Sequence, residues 1–290
     1  MVVINGFKFY NYITYMSKLT LINSTMMEEY WSKKYDGNYS ILISKYAMKF
    51  ISGKDSVNLG DDMDRKIFMG YKMLVKHLES SDIWNKIKDE KMEFTGYDNK
   101  IFLDSCSFKN CINIDIKGAY PNALNNLGLV DKPTYNYIMS MPKLDRLKAI
   151  GMTAKRSMQF DFEAGKIVNY KINESNYRNC YFSAAKEIEE MMEYIKEIAL
   201  DTFIFTWVDG IYLSENTDPK IINQICLALK EQNYNYHINR INIDVKRIKE
   251  VLHITTEDFG VIKQFAFKDV YYKKLNNKII NKYLTKLKQQ

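Results

Sequence analysis

Ile112–Leu129, INIDIKGAYPNALNNLGL, carries a single carboxylate, and the fold turns on where Asp115 is placed. CINIDI is a short apolar run of the kind that forms a buried strand. Gly118, Tyr120 and Pro121 follow within six residues of Asp115, and PNALNNLGL reads as a helix start with Pro121 in its first turn, where a missing N–H costs nothing. The stretch therefore delivers one acid at the end of a buried strand and turns sharply behind it.

A second acid arrives in the same way downstream. TFIFTWVDGIYLSE reads as two short strands joined by a turn at Asp209 and Gly210. Asp115 and Asp209 each close an apolar run, and each is followed by a glycine that permits an unusual backbone. Two acids so placed can hold a pair of divalent ions about 3.5 to 4 Å apart, as in-line phosphoryl transfer requires. An Asp before Gly is equally a common turn residue, so neither acid alone decides the matter.

Between the two acids lie a basic helix, a hairpin and a long helix. Residues 142–157 open with PKLDRLKAIGMTAKR, a helix started by Pro142, and SMQFDFEAGKIVNYKI reads as a hairpin around Glu163 to Gly165. SAAKEIEEMMEYIKEIAL then places Ile188, Met191, Met192, Ile195 and Ile198 on one helical face. Residues 1–95 carry helical spacing, clearest in DDMDRKIFMGYKMLVKHLESSDIWNKIKDE, with Ile67, Phe68, Tyr71, Leu74 and Leu78 at three- and four-residue steps. After Asp209 come a helix (PKIINQICLALKEQ), a strand (NRINIDVKRIKEVL) and a basic tail.

Composition narrows the classes. A chain of 290 residues with 46% hydrophobic residues can bury a substantial core, which excludes disorder. Forty-two Lys and Arg against 35 Asp and Glu leave a formal charge of +7, which favours an anionic partner such as nucleic acid. The 22 Tyr and 15 Phe suit base stacking, though Tyr, Asn, Ile and Lys are also what AT-rich coding supplies. Four cysteines form no CxxC pair, and His77, His237 and His253 stand far apart, arguing against a zinc site or disulfide framework. Without a signal-like start or a run of the ~18 apolar residues that span a bilayer, the expectation is a soluble, cytoplasmic protein with no membrane partner.

With both acids and the order of elements in view, the chain resembles the palm of family B DNA polymerases, in particular the small protein-primed branch of phages and linear plasmids. Asp115-Ile116-Lys117-Gly118-Ala119-Tyr120-Pro121 is similar to the family's Asp-x-x-Ser-Leu-Tyr-Pro, with Gly118 and Ala119 replacing Ser and Leu. Thr206-Trp207-Val208-Asp209-Gly210-Ile211-Tyr212 resembles its Tyr-x-Asp-Thr-Asp-Ser hairpin, with Trp207 where the first Asp stands and Asp209 where the second does. Lys143 and Gly151 keep the spacing of its fingers motif, Lys-x-x-x-Asn-Ser-x-Tyr-Gly. Gly96 and Tyr97 echo its template-contacting loop, and FAFKDVYYKK resembles its primer-gripping segment through Lys268 and Tyr271.

The resemblance covers roughly residues 95–275 and implies an α+β fold: a polymerase-type palm of antiparallel sheet and helices, with reduced fingers and a helical N-terminal region. It implies residues 1–95 as a mostly helical region, 96–260 as palm with a fingers insertion at about 122–160, and 261–290 as a basic thumb-like segment. Asp115 and Asp209 would be catalytic and, with the Ile116 carbonyl, would bind magnesium or manganese. Gly118, Ala119, Tyr120, Lys143 and Arg146 would bind the deoxynucleoside triphosphate, with Tyr120 under the sugar. Gly96, Tyr97, Lys268 and Tyr271 would contact DNA template and primer, and a priming or replication protein is an implied partner.

Departures from the family carry expectations too. Only 28 residues separate Asp115 from Lys143, too few for long fingers, so one finger helix is expected. The first 95 residues are too short for an exonuclease and lack its Asp-x-Glu pair, so no proofreading is expected. Template affinity should fall with salt, and the Lys-rich KKLNNKIINKYLTKLKQQ and the helix around Lys72 and Lys76 are its candidate surfaces. Two other functions stay open: an inactive palm serving as a nucleic-acid-binding accessory, with Trp207 marking lost catalysis, or a primase or terminal transferase.

Overall fold

Apolar runs of period two form strands and amphipathic runs form helices along most of the chain. The computed structural model describes residues 2–4, 7–9, 21–44, 47–60, 64–92, 105–248, 251–258, 261–268 and 278–289. In chain order the first elements are β1 (Val2–Ile4), β2 (Phe7–Phe9), α1 (Leu21–Lys34), β3 (Tyr39–Ser44), β4 (Ala47–Ser52), β5 (Asp55–Gly60), α2 (Arg65–Glu79) and α3 (Asp82–Ile87). Next come β6 (Cys106–Ile116), α4 (Ala119–Asn126), α5 (Lys132–Met139), α6 (Lys143–Gly151), β7 (Arg156–Glu163), β8 (Lys166–Glu174) and α7 (Arg178–Ala199). Last are β9 (Phe203–Trp207), β10 (Gly210–Leu213), α8 (Pro219–Glu231), β11 (Tyr236–Ile248), β12 (Val251–Asp258), β13 (Val261–Lys268) and α9 (Lys278–Gln289).

The fold is mixed α and β, built on two large antiparallel sheets. It divides into two compact units, the first of Met1–Met69, Met152–Arg178 and Lys273–Gln290, the second of Gly70–Gly151 and Asn179–Tyr272.

The second unit holds the six-stranded sheet, in the order β13-β12-β11-β6-β10-β9. Continuous apolar character explains why β6 is internal. Cys111, Ile112, Asn113, Ile114 and Ile116 are all buried, so this half of the strand has cover on both faces, while Ser105 to Asn110 alternate or face solvent. The hairpin β9–β10 lies on one side of β6 and β11 on the other. Cys111, Phe205, Tyr212, Ile241 and Ile254 form an apolar cluster in this unit, with the Phe205 and Tyr212 rings stacked at 4.0 Å.

The first unit holds the five-stranded sheet, β5-β4-β3-β7-β8. YSILIS and AMKFIS alternate, so Ile41, Ile43, Met48 and Phe50 share a core with Phe160 and Phe162 of β7. Trp31 of α1 and Tyr283 of α9 complete it.

Several sequence expectations change here. Among the described residues the stretch 1–95 is not mostly helical, because β3 to β5 pair as a meander with alternating burial. The hairpin β7–β8 forms where expected, but β7 pairs with β3, so residues 156–174, expected to lie in a palm and its fingers insertion, belong with the N-terminal strands in the five-stranded sheet and not with the six-stranded one. Two helices, α5 and α6, precede that hairpin where one was expected; α5 starts because the Asp131 side chain accepts from the Thr134 amide and Pro133 sits in the first turn. The tail is not one thumb-like segment: β13 extends the six-stranded sheet and α9 joins the first unit. All four cysteines are free, and among the described residues no helix is long and apolar enough to cross a membrane.

Candidate active site

Strand register brings the two acids together. Gly210 pairs with Asp115 across β10 and β6, so the turn Val208-Asp209 lies directly beyond the end of β6. The Ile116 amide donates to the Asp209 carbonyl at 2.9 Å and locks that turn to the strand. A two-residue hairpin loop needs positive φ at one of its positions. Here that position is Val208, at φ 55, not Gly210 as the sequence suggested. A β-branched residue in the left-handed region is strained, a cost of the kind found at functional sites. Gly210 serves space instead: a Cβ there would stand 3.3 Å from Asp115 Oδ1 and 3.6 Å from Asn113 Nδ2.

Directly opposite on β11, His237 pairs with Asp115 and places Nε2 3.7 Å from Asp115 Oδ2. Its Nδ1 and the Nδ2 of the buried Asn113 have no hydrogen-bond partner among the described residues. Neither residue was singled out from sequence. The sequence offers His237 only as one of three widely spaced histidines, and strand pairing alone joins it to Asp115.

Like charges at close quarters in a desolvated place oppose ionisation. Burial pushes the Asp209 carboxyl up to about 6, the neighbouring Asp115 charge adds to this, and Lys143 pulls the other way. The Tyr212 hydroxyl is pushed up by burial and then by both acids. Asp115, Asp209 and Lys143 therefore share one electrostatic site, although 28 residues separate Asp115 from Lys143 and 66 separate Lys143 from Asp209.

Behind β6 the chain turns through Gly118 at φ 61, ψ 47, and α4 begins there without a side-chain cap. A helix start of this kind presents backbone amides and positive dipole to an anion. Ala119, Tyr120 and Pro121 are buried in its first turn. Tyr120 packs its ring on Tyr181 of α7 at 5.2 Å, and the two hydroxyls hydrogen-bond at 3.0 Å. Asn122 ties the turn together, donating to the Lys117 carbonyl and accepting from the Tyr135 hydroxyl.

Lys143 is exposed at the start of α6, next to a site whose acids sense its charge. Arg146 is turned elsewhere: its Nη1 donates to the Met139 and Met141 carbonyls at 3.3 Å, closing the end of α5. Gly96, Tyr97 and Tyr271 lie outside the described residues, and Lys268 is placed only as the last residue of β13. Of the Lys-rich tail, Lys282 and Lys286 are held by Glu28, so that part of the charge is internal to the first unit.

Two carboxylates with hard oxygen donors, one of them desolvated beside the other, suit a divalent cation that would relieve their repulsion. Among the described residues no three His, Cys, Asp or Glu side chains group as a metal cage, so substrate oxygens and backbone carbonyls would have to complete any coordination. The chain has no match among protein-family models, curated proteins or solved structures.

Proposed function

We propose that the second unit is a polymerase-type palm, similar to that of family B, which adds deoxynucleotides to a primer on a DNA template without proofreading. The observation that carries this reading is the pairing of Gly210 with Asp115, which sets two acids from distant segments at one end of an antiparallel sheet. Magnesium or manganese held by Asp115 and Asp209, with the Ile116 carbonyl, would activate a primer 3′-hydroxyl and neutralise departing pyrophosphate. Lys143 supplies positive charge for the triphosphate, and the Gly118 turn offers it the uncapped start of α4. Tyr120 shapes the floor behind that turn through its stack on Tyr181. A priming or replication protein would deliver the primer terminus.

The test is extension of a labelled primer with magnesium or manganese, beside Asp115→Ala and Asp209→Ala. Wild-type extension lost in both variants, by about 10³-fold or more, supports the reading. Manganese should also raise the wild-type melting temperature, and neither variant should respond. Trp207, which stands opposite Gly210 where the resemblance expects another acid, favours one alternative. A folded wild type that binds DNA but neither extends a primer nor responds to either metal would be an inactive palm acting as an accessory.

A further inference from the structure

Asp115 offers its two carboxylate oxygens to different neighbours. Oδ1 faces the β9–β10 hairpin, 3.3 Å from the point a Cβ on Gly210 would take. Oδ2 faces β11, where strand pairing sets His237 Nε2 3.7 Å away. That distance is too long for a hydrogen bond, and Nδ1 of the same ring is buried without a partner among the described residues. Asn113 lies two residues back on the same face of β6, only 8% exposed, with Nδ2 unpartnered among the described residues and 3.6 Å from that same point over Gly210. Buried polar atoms without partners are uncommon and mark places that a further polar group or ion completes.

The donor types say which ion. Two donors about 2.2 Å from a shared cation stand about 3 to 4 Å apart, so one ion fits between Asp115 Oδ2 and His237 Nε2 with β6 and β11 paired as they are. Magnesium takes oxygen ligands and holds its water, whereas an imidazole nitrogen is a ligand for first-row transition ions. The remaining donors here are carboxylate, water and substrate oxygens, which suit manganese as well as magnesium. A single imidazole is then what separates the two. The Asn113 amide nitrogen is a donor and binds no cation, but it can hold a water or phosphate oxygen that the ion carries.

We propose that His237 is a metal ligand which, together with Oδ2 of Asp115, makes this site prefer manganese to magnesium. The inference rests on the proposed role of Asp115 as a metal ligand and is independent of what reaction the site performs.

The test is manganese binding to the full chain, followed by electron paramagnetic resonance, with pulsed detection of nitrogen coupled to the metal. Wild type should show a directly bound imidazole nitrogen and should hold manganese at least about tenfold more tightly than His237→Gln. Magnesium, measured by competition, should bind the two within about twofold, so the preference for manganese narrows in the variant. His77→Gln and His253→Gln should keep the nitrogen signal. Circular dichroism checks that each variant folds, and the wild-type nitrogen signal decides the question even where one does not. Manganese bound without nitrogen coupling, or bound equally by a folded His237→Gln, overturns the inference and leaves Asp115 an oxygen-only ligand. A folded wild type that binds no manganese overturns it together with the metal role of Asp115. Nitrogen-coupled manganese in a chain that extends no primer supports the inference and removes the polymerase reading instead.

Discussion

Asp209 concentrates the chemistry of the site in one side chain. Its carboxyl is raised to about 6, first by burial and then by Asp115. Between its ordinary value of 3.8 and about 6 the folded chain holds a proton that the unfolded chain has released. The stabilising contribution of that proton is complete below 3.8 and is lost as pH rises through about 6. Asp209→Asn should therefore be more stable than wild type at neutral pH, by about 1–3 kcal/mol, and equal to it in strong acid. Urea unfolding at the two pH values reads the difference directly. Sequence showed that Asp209 ends a strand; it did not show His237 across from Asp115, because a contact between β6 and β11 has no local signature.

The element that fixes the site is the turn from β6 into α4. Gly118 sits at φ 61, where an L side chain costs about 1–2 kcal/mol, and an added Cβ would also stand 2.9 Å from Met139 Sδ. Gly118→Ala should lower stability by about 1–3 kcal/mol. The methionine end can yield, so most of the loss comes from the backbone, and trimming Met139→Ala in the same chain should recover little; denaturant midpoints compare the two. The need for glycine was legible at 118 from the acid, the glycine and the proline together. At Gly210 the same reasoning misplaced the strain, which falls on Val208, since a two-residue hairpin chooses its turn geometry from the twist of the flanking strands.

Across the whole molecule, distant segments complete each core. Glu28 on α1 accepts from Lys282 and from the Tyr283 hydroxyl on α9 at 3.0 Å each, and from Lys286 at 2.6 Å. Burial pushes this carboxyl up, but the hydrogen bonds from Lys286 and Lys282 outweigh it and hold the group below its ordinary 4.5. Its contribution is thus present above 4.5 and disappears as pH falls through the lower folded value. Glu28→Gln should cost about 1–3 kcal/mol at neutral pH, with the gap to wild type closing in acid. Thermal melts over that range give the sign.

Local pattern by itself determined the strand before Asp115, the helix after it, the Asp209 hairpin, the basic α6 and the long α7, because each rests on periodicity and turn chemistry within a few residues. It also determined that two acids end apolar strands. Tertiary structure alone decided that these acids meet, that His237 and Asn113 line the same place, and that Arg146 is spent on the end of α5. It likewise decided that β7–β8 joins β3 and that α9 lies on Glu28. Pairing register and docking are set by which apolar faces bury one another across long loops, and that choice is a property of the whole chain.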